Sequence, residues 1–367
     1  MFKKIDQSKN NPLVESYYNG DIKKFRQLLE DGANVDCMCK VKSYKNDYDE
    51  SEWDNFSLLG AIIINENKIP NNKEFFDELM SWDVFLGSMG EGDSLISLAI
   101  KYQNNSDYLA SLIEKGAEIN IVTKNHTGLA ICDTFFASNS NKKIDLLLQQ
   151  DIDLNLVDSS GRTALHNLLI SYTYLKKPEN ILSRLIEKGA DPMKTDRYGR
   201  TALNYWVNTR CEKSFKILID NGVKIDNINS FSYTALIESG LWNKLSSTMI
   251  LINAGADINF KDNNGDTVAM YFAKNCWNKE SMNTIHLLQE AGVDFSIQNS
   301  KGDNLIHEIA RHVTFDECGF EVFENNKKLL LVENNEKQTP LDIIKDRGYK
   351  NQYKKLLKLT DQNNISK

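Results

Sequence analysis

Residues 302–312 read GDNLIHEIARH, in which two histidines flank a glutamate within a stretch of helical pattern. Zinc proteases use a similar segment, H-E-x-x-H, because histidines four residues apart on a helix point at one metal ion while the glutamate acts as the general base. His307 and His312 are separated by five positions instead, which is about 140° around a helix of 3.6 residues per turn. We therefore expect structural roles for both histidines and no zinc site.

Other residues that could do chemistry lack the partners that their chemistry needs. Cys37 and Cys39 form a C-x-C pair with no second pair and no nearby histidine, so ordinary thiols are favoured over a zinc site. The segment GSMGEG at 87–92 lacks the lysine and the strand-to-helix context of a phosphate loop. An acidic cluster has neither the glycine nor the distal glutamate of a calcium loop; it consists of Asp47, Asp49, Glu50, Glu52 and Asp54. We expect no catalytic residue, no cofactor and no metal.

The composition is that of a folded protein without a nucleic-acid or membrane signature. Of 367 residues, 41% are hydrophobic and 26% are charged, and the net charge of −7 includes no basic cluster. Phosphate backbones bind clustered Lys and Arg, so a nucleic-acid partner is disfavoured. The N-terminal segment has no apolar signal-peptide core, and no run of about 18 apolar residues occurs. With six scattered cysteines, we expect a reducing, cytoplasmic setting and no membrane insertion.

One phrase recurs along the chain. It reads LIEKGAEINIV at 112–122, LIEKGADPMKT at 185–195 and LINAGADINFK at 251–261. Its glycine returns with a period of 33 where Gly189, Gly222 and Gly255 follow one another. A second phrase follows the first at a fixed offset, as in GRTALHNLL from 161 and GRTALNYWV from 199. A period of this length is typical of a repeat protein built from one supersecondary unit.

Each unit has the pattern of two helices followed by a stop. In SFKILIDNG at 214–222, Phe215, Leu218 and Ile219 share one helical face, and Gly222 supplies the left-handed residue that ends many helices. Thr201 is a preferred residue for the start of a helix. The apolar face of one unit is too small to be stable alone, so neighbouring units must stack. We count ten units, which start near residues 11, 56, 93, 127, 162, 200, 233, 266, 303 and 338.

The units predict a single continuous array over residues 1–359, followed by a polar tail at 360–367. A larger spacing between the first two units indicates a long insertion loop at about 37–55. Asp83, Asp151 and Lys327 stand in the glycine slot. Because lysine enters the left-handed region reluctantly, we expect a local distortion near Lys327.

The recurring phrases resemble the ankyrin repeat, whose period is about 33 residues and whose hallmark is T-P-L-H-x-A. The hallmark is present in part as TALH at 163–166 and TPLD at 339–342. The resemblance covers nearly the whole chain. It implies an all-α repeat fold, an ankyrin-repeat solenoid of about ten helix-turn-helix units with short β-hairpin loops. It also implies a non-catalytic protein that binds a protein partner through its concave face and hairpin tips.

The same resemblance places candidate contacts on the hairpin tips and on exposed positions of the first helices. Tyrosine, tryptophan and arginine carry much of the binding energy of interfaces that desolvate them. We therefore predict one partner-binding surface in the later repeats, made of Tyr198, Arg200, Tyr205, Phe231, Tyr233 and Trp242. The insertion supplies a second set, made of Tyr44, Tyr48 and Trp53. Trp206 is expected in the core, and Tyr205 and Tyr271 could instead fill grooves between units.

Two biological roles stay open for such a protein. The 41 asparagines, with many lysines and isoleucines, are typical of an A/T-rich coding sequence in a bacterium, virus or protist. A microbial or viral effector that binds a host protein is favoured, and the alternative is an inhibitor or immunity-type protein that neutralises a toxin or enzyme. A small-molecule binder or an enzyme is disfavoured. We expect the unbound chain to be a monomer, in the cytoplasm of its own cell or of a host.

Overall fold

The computed structural model describes residues 11–42, 53–65, 68–87, 94–103, 106–120, 130–137, 140–175, 177–209, 211–274, 279–312 and 319–360. The contacts of the chain divide it into two compact units, Met1–Asp196 and Arg197–Lys367. Each unit consists of successive helix pairs. In most pairs, the first helix packs against the second helix and against the first helix of the next pair.

The first unit contains five helix pairs and one short sheet within its described residues. The α7 helix continues as the 3-10 turn Thr134–Phe136, and α9 is followed by the 3-10 turn Tyr172–Tyr174. The elements in chain order are α1 (Pro12–Tyr18), α2 (Ile22–Glu30), β1 (Met38–Lys42), β2 (Trp53–Ser57), α3 (Leu58–Ile64), α4 (Asn72–Met80), α5 (Leu95–Tyr102), α6 (Asp107–Glu114), α7 (Ala130–Asp133), α8 (Ser140–Leu148), α9 (Ala164–Ile170) and α10 (Pro178–Glu187).

The second unit contains five further pairs in its described part. Its helices are α11 (Ala202–Trp206), α12 (Glu212–Asp220), α13 (Ala235–Leu241), α14 (Leu245–Asn253), α15 (Val268–Lys274), α16 (Lys279–Glu290), α17 (Leu305–His312), α18 (Gly319–Asn325), α19 (Pro340–Asp346) and α20 (Lys350–Thr360). Every first helix in both units begins within three residues of its predicted start. The predicted all-α repeat fold is confirmed.

The helices begin and end at the residues that local rules predict. Thr201, the predicted cap of α11, forms a capping box with Asn204. Thr234 caps α13 by accepting a hydrogen bond from the Ile237 amide at 3.3 Å. Each such bond satisfies an amide that has no partner within the helix. After α12, Gly222 has a φ of 86°, a conformation in which any side chain would be strained.

Three repeats fill the glycine slot with another residue. Asp83 and Asp151 occupy it without a left-handed backbone, since neither has a positive φ. The irregularity predicted near Lys327 takes the form of a 3-10 turn, Lys327–Leu331, which buries the side chain of Leu330. This tighter turn follows α18, the second helix of the ninth repeat, and does not require Lys327 to enter the left-handed region.

The insertion begins and ends in a two-stranded antiparallel sheet. β1 and β2 pair with Cys39 opposite Phe56, and the Leu58 amide donates to the Cys37 carbonyl at 2.9 Å. Burial raises the pKa of the Cys37 thiol to about 11. The loop predicted over about 37–55 is therefore shortened by strand pairing at both ends. Residues 43–52, between the strands, lie outside the described residues.

The tips between repeats are held by an asparagine or aspartate at their first position. Asn229 Oδ1 accepts hydrogen bonds from the Phe231 and Tyr233 amides at 2.9 and 3.0 Å. The backbone amide of Asn229 also donates to the Tyr233 carbonyl at 3.0 Å. Such Asx turns reverse the chain by bonding the backbone two residues further on. The same arrangement recurs in the second unit at Asp262, Asn299 and Asn334.

A polar slot three residues before the first residue of a tip joins neighbouring repeats. In the first unit, Asn155 accepts from the Asp191 amide and donates to the Gly189 carbonyl, each at 2.8 Å. In the second unit the slot holds Asp226, whose carboxylate accepts from the Asp257 amide at 3.2 Å but has no N–H to donate. Burial raises the pKa of Asp226, and the charge of Asp257 adds to this effect.

We expect Asp226→Asn to stabilise the second unit by about 0.5–1.5 kcal/mol at neutral pH, because an amide can both accept and donate in this slot. The raised pKa means that the folded state disfavours the ionised carboxyl, so wild-type stability falls as pH rises through the carboxyl range. The gain should therefore shrink below about pH 4. Thermal unfolding of the wild type and the variant, at neutral pH and below about pH 4, measures this gain in stability. An equal gain from Glu336→Gln, an exposed carboxylate in the last tip, would contradict this account.

Candidate protein-binding surface

The first histidine of the GDNLIHEIARH segment is fixed by bonds between repeats. His307 is fully buried. Its Nδ1 accepts a hydrogen bond from the Asn304 amide at 3.2 Å, and its Nε2 donates to the Gln338 carbonyl at 3.2 Å. Burial lowers the pKa of this imidazole. The ring is therefore a neutral helix cap that also joins the ninth repeat to the tenth.

The second histidine faces a different set of groups. His312 Nε2 lies 3.6 Å from Glu308 Oε2, while Arg311 donates to both carboxylate oxygens of Asp303 at 2.6 and 2.9 Å. Burial raises the pKa of Glu308, and burial together with the charge of Arg311 lowers the pKa of His312. Within the described residues, no group of three His, Cys, Asp or Glu side chains could hold a metal ion.

A row of aromatic rings crosses three neighbouring repeats of the second unit. The aromatic row consists of Tyr198, Phe231, Tyr233 and Tyr271. Tyr198 stacks on Phe231 with ring centroids 5.6 Å apart, and Phe231 stacks on Tyr233 at 6.1 Å. Tyr233 meets Tyr271 edge to face at 5.9 Å. Phe231, in the middle of the row, is 51% exposed.

Two arginines extend the row at the Tyr198 end. The guanidinium carbons of Arg197 and Arg200 lie 4.8 and 5.1 Å from the Tyr198 ring centroid. Arg200 also lies 4.7 Å from the Tyr205 centroid and donates to its hydroxyl at 2.8 Å. Stacking of this kind restricts the arginine side chains. We call the aromatic row together with Arg197, Arg200 and Tyr205 the tip surface; it includes five predicted residues, Tyr198, Arg200, Tyr205, Phe231 and Tyr233.

Neighbouring tips are bonded to each other, which brings the rings together. The Ser230 amide donates to the Tyr198 carbonyl at 2.8 Å. A Cβ at Gly199 would lie 3.3 Å from the Ser230 nitrogen, and Gly199 has a φ of 72°. Both the close approach and the left-handed backbone therefore favour glycine at this position. With the two backbones this close, the Phe231 ring reaches the Tyr198 ring.

Tyr271 anchors the far end of the row, although the predicted set did not include it. Its hydroxyl donates to Asp262 Oδ2 at 2.7 Å and lies 3.2 Å from the Tyr233 hydroxyl. The side chain is nearly buried, and this burial raises its pKa well above the ordinary value. The sequence pointed to Tyr271 because it occupies the same position of its first helix as Tyr205 does. The structure gives it the groove-filling role that the sequence left open.

Trp242 does not join the tip surface. It is 60% exposed and stands at the C-cap of α13, whereas Tyr233 precedes the N-cap of the same helix. The two ends of a helix of this length are about 10 Å apart. The six residues of the predicted surface therefore do not form one patch. Trp206 is fully buried and donates to the Cys211 carbonyl at 2.8 Å, as expected of a core residue.

The second predicted set is described only in part. Trp53 lies on β2, opposite Lys42 of β1. Tyr44 and Tyr48 lie outside the described residues. The role of this set in binding stays a prediction.

Comparison with known proteins identifies the fold. A family model described as ankyrin repeats, in three copies, matches residues 134–231 and 169–262. The matched part of the chain, residues 134–262, belongs to the ankyrin-repeat family. Over 223 residues the chain is 27% identical to a putative ankyrin repeat protein of Acanthamoeba polyphaga mimivirus. This alignment covers 59% of the chain and 28% of the relative. The chain is also 24% identical, over 373 residues, to phosphocholine transferase AnkX of Legionella pneumophila. That alignment covers 98% of the chain and 32% of AnkX.

Among solved structures, the ankyrin repeat domain of Bcl-3 aligns with 59% of the chain and 92% of its own length, with a TM-score of 0.48 and 20% identity. The chain spans about a quarter to a third of the length of the first curated relatives it matches. Among the helices in the described part of the chain, none combines the length and apolar character that a membrane crossing requires.

We expect His307→Gln to keep the helix cap but to lose the bond to the next repeat, which costs about 1–2 kcal/mol at neutral pH. Folding lowers the pKa of His307, so the wild type gains stability above the ordinary histidine pKa of about 6.5 and loses it as pH falls. The variant should lose less stability between about pH 7 and pH 5. Thermal unfolding across this range measures the difference.

The matched control is His286→Gln, which also removes one histidine from the second unit. This variant separates the loss of a histidine from the loss of the buried helix cap. If His307→Gln and the wild type lose stability equally on acidification, the buried neutral cap is not the group that titrates.

Proposed function

We propose that this ankyrin-repeat chain is a non-catalytic binding protein that holds a partner protein on the tip surface of its second unit. The observation that carries the proposal is the continuous aromatic row with a half-exposed Phe231 at its centre. Aromatic and arginine side chains contribute more than other residues when an interface removes them from water. Full burial of a phenylalanine side chain is worth about 1.5–3 kcal/mol, so the exposed half of Phe231 is available to a partner.

The tip surface also supports binding because it is ordered before a partner arrives. Asn229 fixes the backbone at Phe231 and Tyr233, and Arg200 lies within stacking distance of both Tyr198 and Tyr205. Immobilising a mobile side chain on binding costs about 0.5–1.5 kcal/mol. A surface whose side chains are already restricted avoids part of that cost.

The biological role proposed for this protein is that of a microbial or viral effector acting on a host protein in the cytoplasm. Relatives from a virus and a bacterium support such an origin. The alternative is an inhibitor or immunity-type protein that acts on a toxin or enzyme of its own cell. We do not propose the transferase activity that names AnkX, because the match covers 32% of that protein and function depends on sites rather than on the fold.

We expect Phe231→Ala/Tyr233→Ala to weaken binding of the partner at least about tenfold, because interface hot spots commonly cost 1.4 kcal/mol or more when truncated. Affinity capture with mass spectrometry identifies partners of the wild type, and calorimetry with the purified partner then measures the loss. Circular dichroism checks that the variant stays folded.

Trp242→Ala is the matched control, since it removes an exposed aromatic side chain of the same repeat that stands at the other end of α13. It should leave the affinity within about twofold, as surface substitutions away from hot spots usually do. The opposite result, with loss from Trp242→Ala and none from the tip variant, would place the interface elsewhere.

The origin of the partner separates the two roles. We expect capture from a host-cell lysate to yield the tight partner and capture from a lysate of the source organism to yield none. A tight partner found only among proteins encoded beside this gene would instead support the inhibitor or immunity role. Each capture is carried out with the wild type and with the Phe231→Ala/Tyr233→Ala variant. Proteins captured equally by both are counted as nonspecific.

A further inference from the structure

The two ends of the tip surface differ in charge. At the Tyr271 end, the ammonium of Lys274 lies 5.1 Å from the ring centroid and is paired with the Asp266 carboxylate. Arg197 and Arg200 lie against Tyr198, at the start of the row. The middle of the row carries Phe231 between two tyrosines. At its far end the hydroxyl of Tyr271 is bonded to Asp262 within the protein. A partner segment that covers the row therefore contacts arginines at the Tyr198 end and aromatic rings along the middle.

Arg197 keeps its charge available. Its side chain is exposed, and within the described residues of the second unit no carboxylate forms an ion pair with it. Arg311 of the same unit is different, since Asp303 binds its guanidinium with two hydrogen bonds. A guanidinium that stacks by its face on a tyrosine still has N–H donors along its edge. Those donors match the geometry of a carboxylate.

The length of the row limits what can cover it. The centroid spacings of 5.6 and 6.1 Å put Tyr198 and Tyr233 no more than about 12 Å apart. An extended peptide advances about 3.3 Å per residue, so roughly four residues of a partner would span the row. A carboxylate bound at Arg197 therefore belongs within a few residues of the side chains that lie on Phe231 and Tyr233.

We propose that the occupant of the tip surface is an extended acidic segment of a partner protein, in which one Asp or Glu pairs with Arg197 and neighbouring apolar or aromatic side chains pack on Phe231 and Tyr233. The inference rests on the proposed function and adds the chemistry of the partner to it. Because Arg197 and Arg200 are positively charged, an acidic segment is favoured over a basic one. A nucleic-acid strand is disfavoured because its successive phosphates need clustered Lys and Arg, whereas the two arginines lie at one end of the row. Bases could otherwise stack on the aromatic side chains.

The test uses random peptides of about twelve residues, a length that exceeds the row about threefold, displayed on phage and selected on the immobilised full-length protein. We expect selected peptides to be enriched in Asp or Glu within about four residues of an aromatic, aliphatic or proline residue. A selected peptide is then synthesised with a fluorescent label, and its affinity is measured by anisotropy. A second version carries Asn or Gln in place of the acidic residue.

Arg197→Gln should weaken the acidic peptide about threefold to tenfold and should leave the neutral version unaffected, because one rim charge pair is lost. Binding of the acidic peptide to the wild type should also weaken with rising salt, and binding to Arg197→Gln should do so less. Lys301→Gln is the matched control, since it removes one exposed tip charge outside the aromatic row. It should leave the affinity unchanged.

The outcomes separate this inference from the proposed function. If Phe231→Ala abolishes peptide binding but Arg197→Gln changes nothing, the surface is correct and the acidic chemistry is wrong. If neither substitution matters, or the selection returns no peptide that depends on Phe231, the tip surface is not the binding site. Tighter binding of an oligothymidine strand than of any peptide, lost in both variants, would replace the acidic segment with a nucleic acid.

Discussion

Within the second unit, each first helix packs on the first helix of the next repeat, α13 on α15, α15 on α17 and α17 on α19. Most side chains of these first helices are buried, among them Leu236, Ala269 and Ile306. Their removal from water stabilises the fold by about 25 cal/mol for each Å² of apolar surface, and a single helix pair has no second face to bury them against. The helix caps, the tips and the tip surface all depend on this burial between repeats.

The packing of the helices also sets the distance between neighbouring tips. The Ser230 amide reaches the Tyr198 carbonyl at 2.8 Å, so rings from consecutive repeats come within stacking distance of each other. Residues that are far apart in the chain, such as Tyr198 and Tyr271, thereby contribute to one surface. The turns that carry these residues use bonds from Asn229 and Asp262 to their own backbone. Tip side chains can differ between repeats while the turns beneath them stay the same.

Several groups that carry out chemistry in enzymes have structural roles in this protein. His307 caps a helix and bonds the next repeat, and Arg311 binds Asp303. Burial raises the pKa of the Cys37 thiol to about 11 and that of Cys132 above its usual range, so both are protonated and weakly nucleophilic at neutral pH. The spacing that resembled a zinc-protease motif is a consequence of where one repeat begins its first helix.

The glycine period, the caps and the turn residues determined the repeat family and the ten helix pairs, because each of these signals acts within a single unit. The turn residues also indicated which side chains lie at the tips, and their role in binding a partner stays a prediction. Only the tertiary structure decided which side chains meet across repeats. Tyr271 proved to anchor the row. Lys143, in an ordinary helical pattern, is buried, and its ammonium donates to the Ile100 and Gln103 carbonyls at 2.6 and 2.7 Å. These outcomes depend on distances between residues of different repeats, and the pattern of one repeat carries no information about those distances.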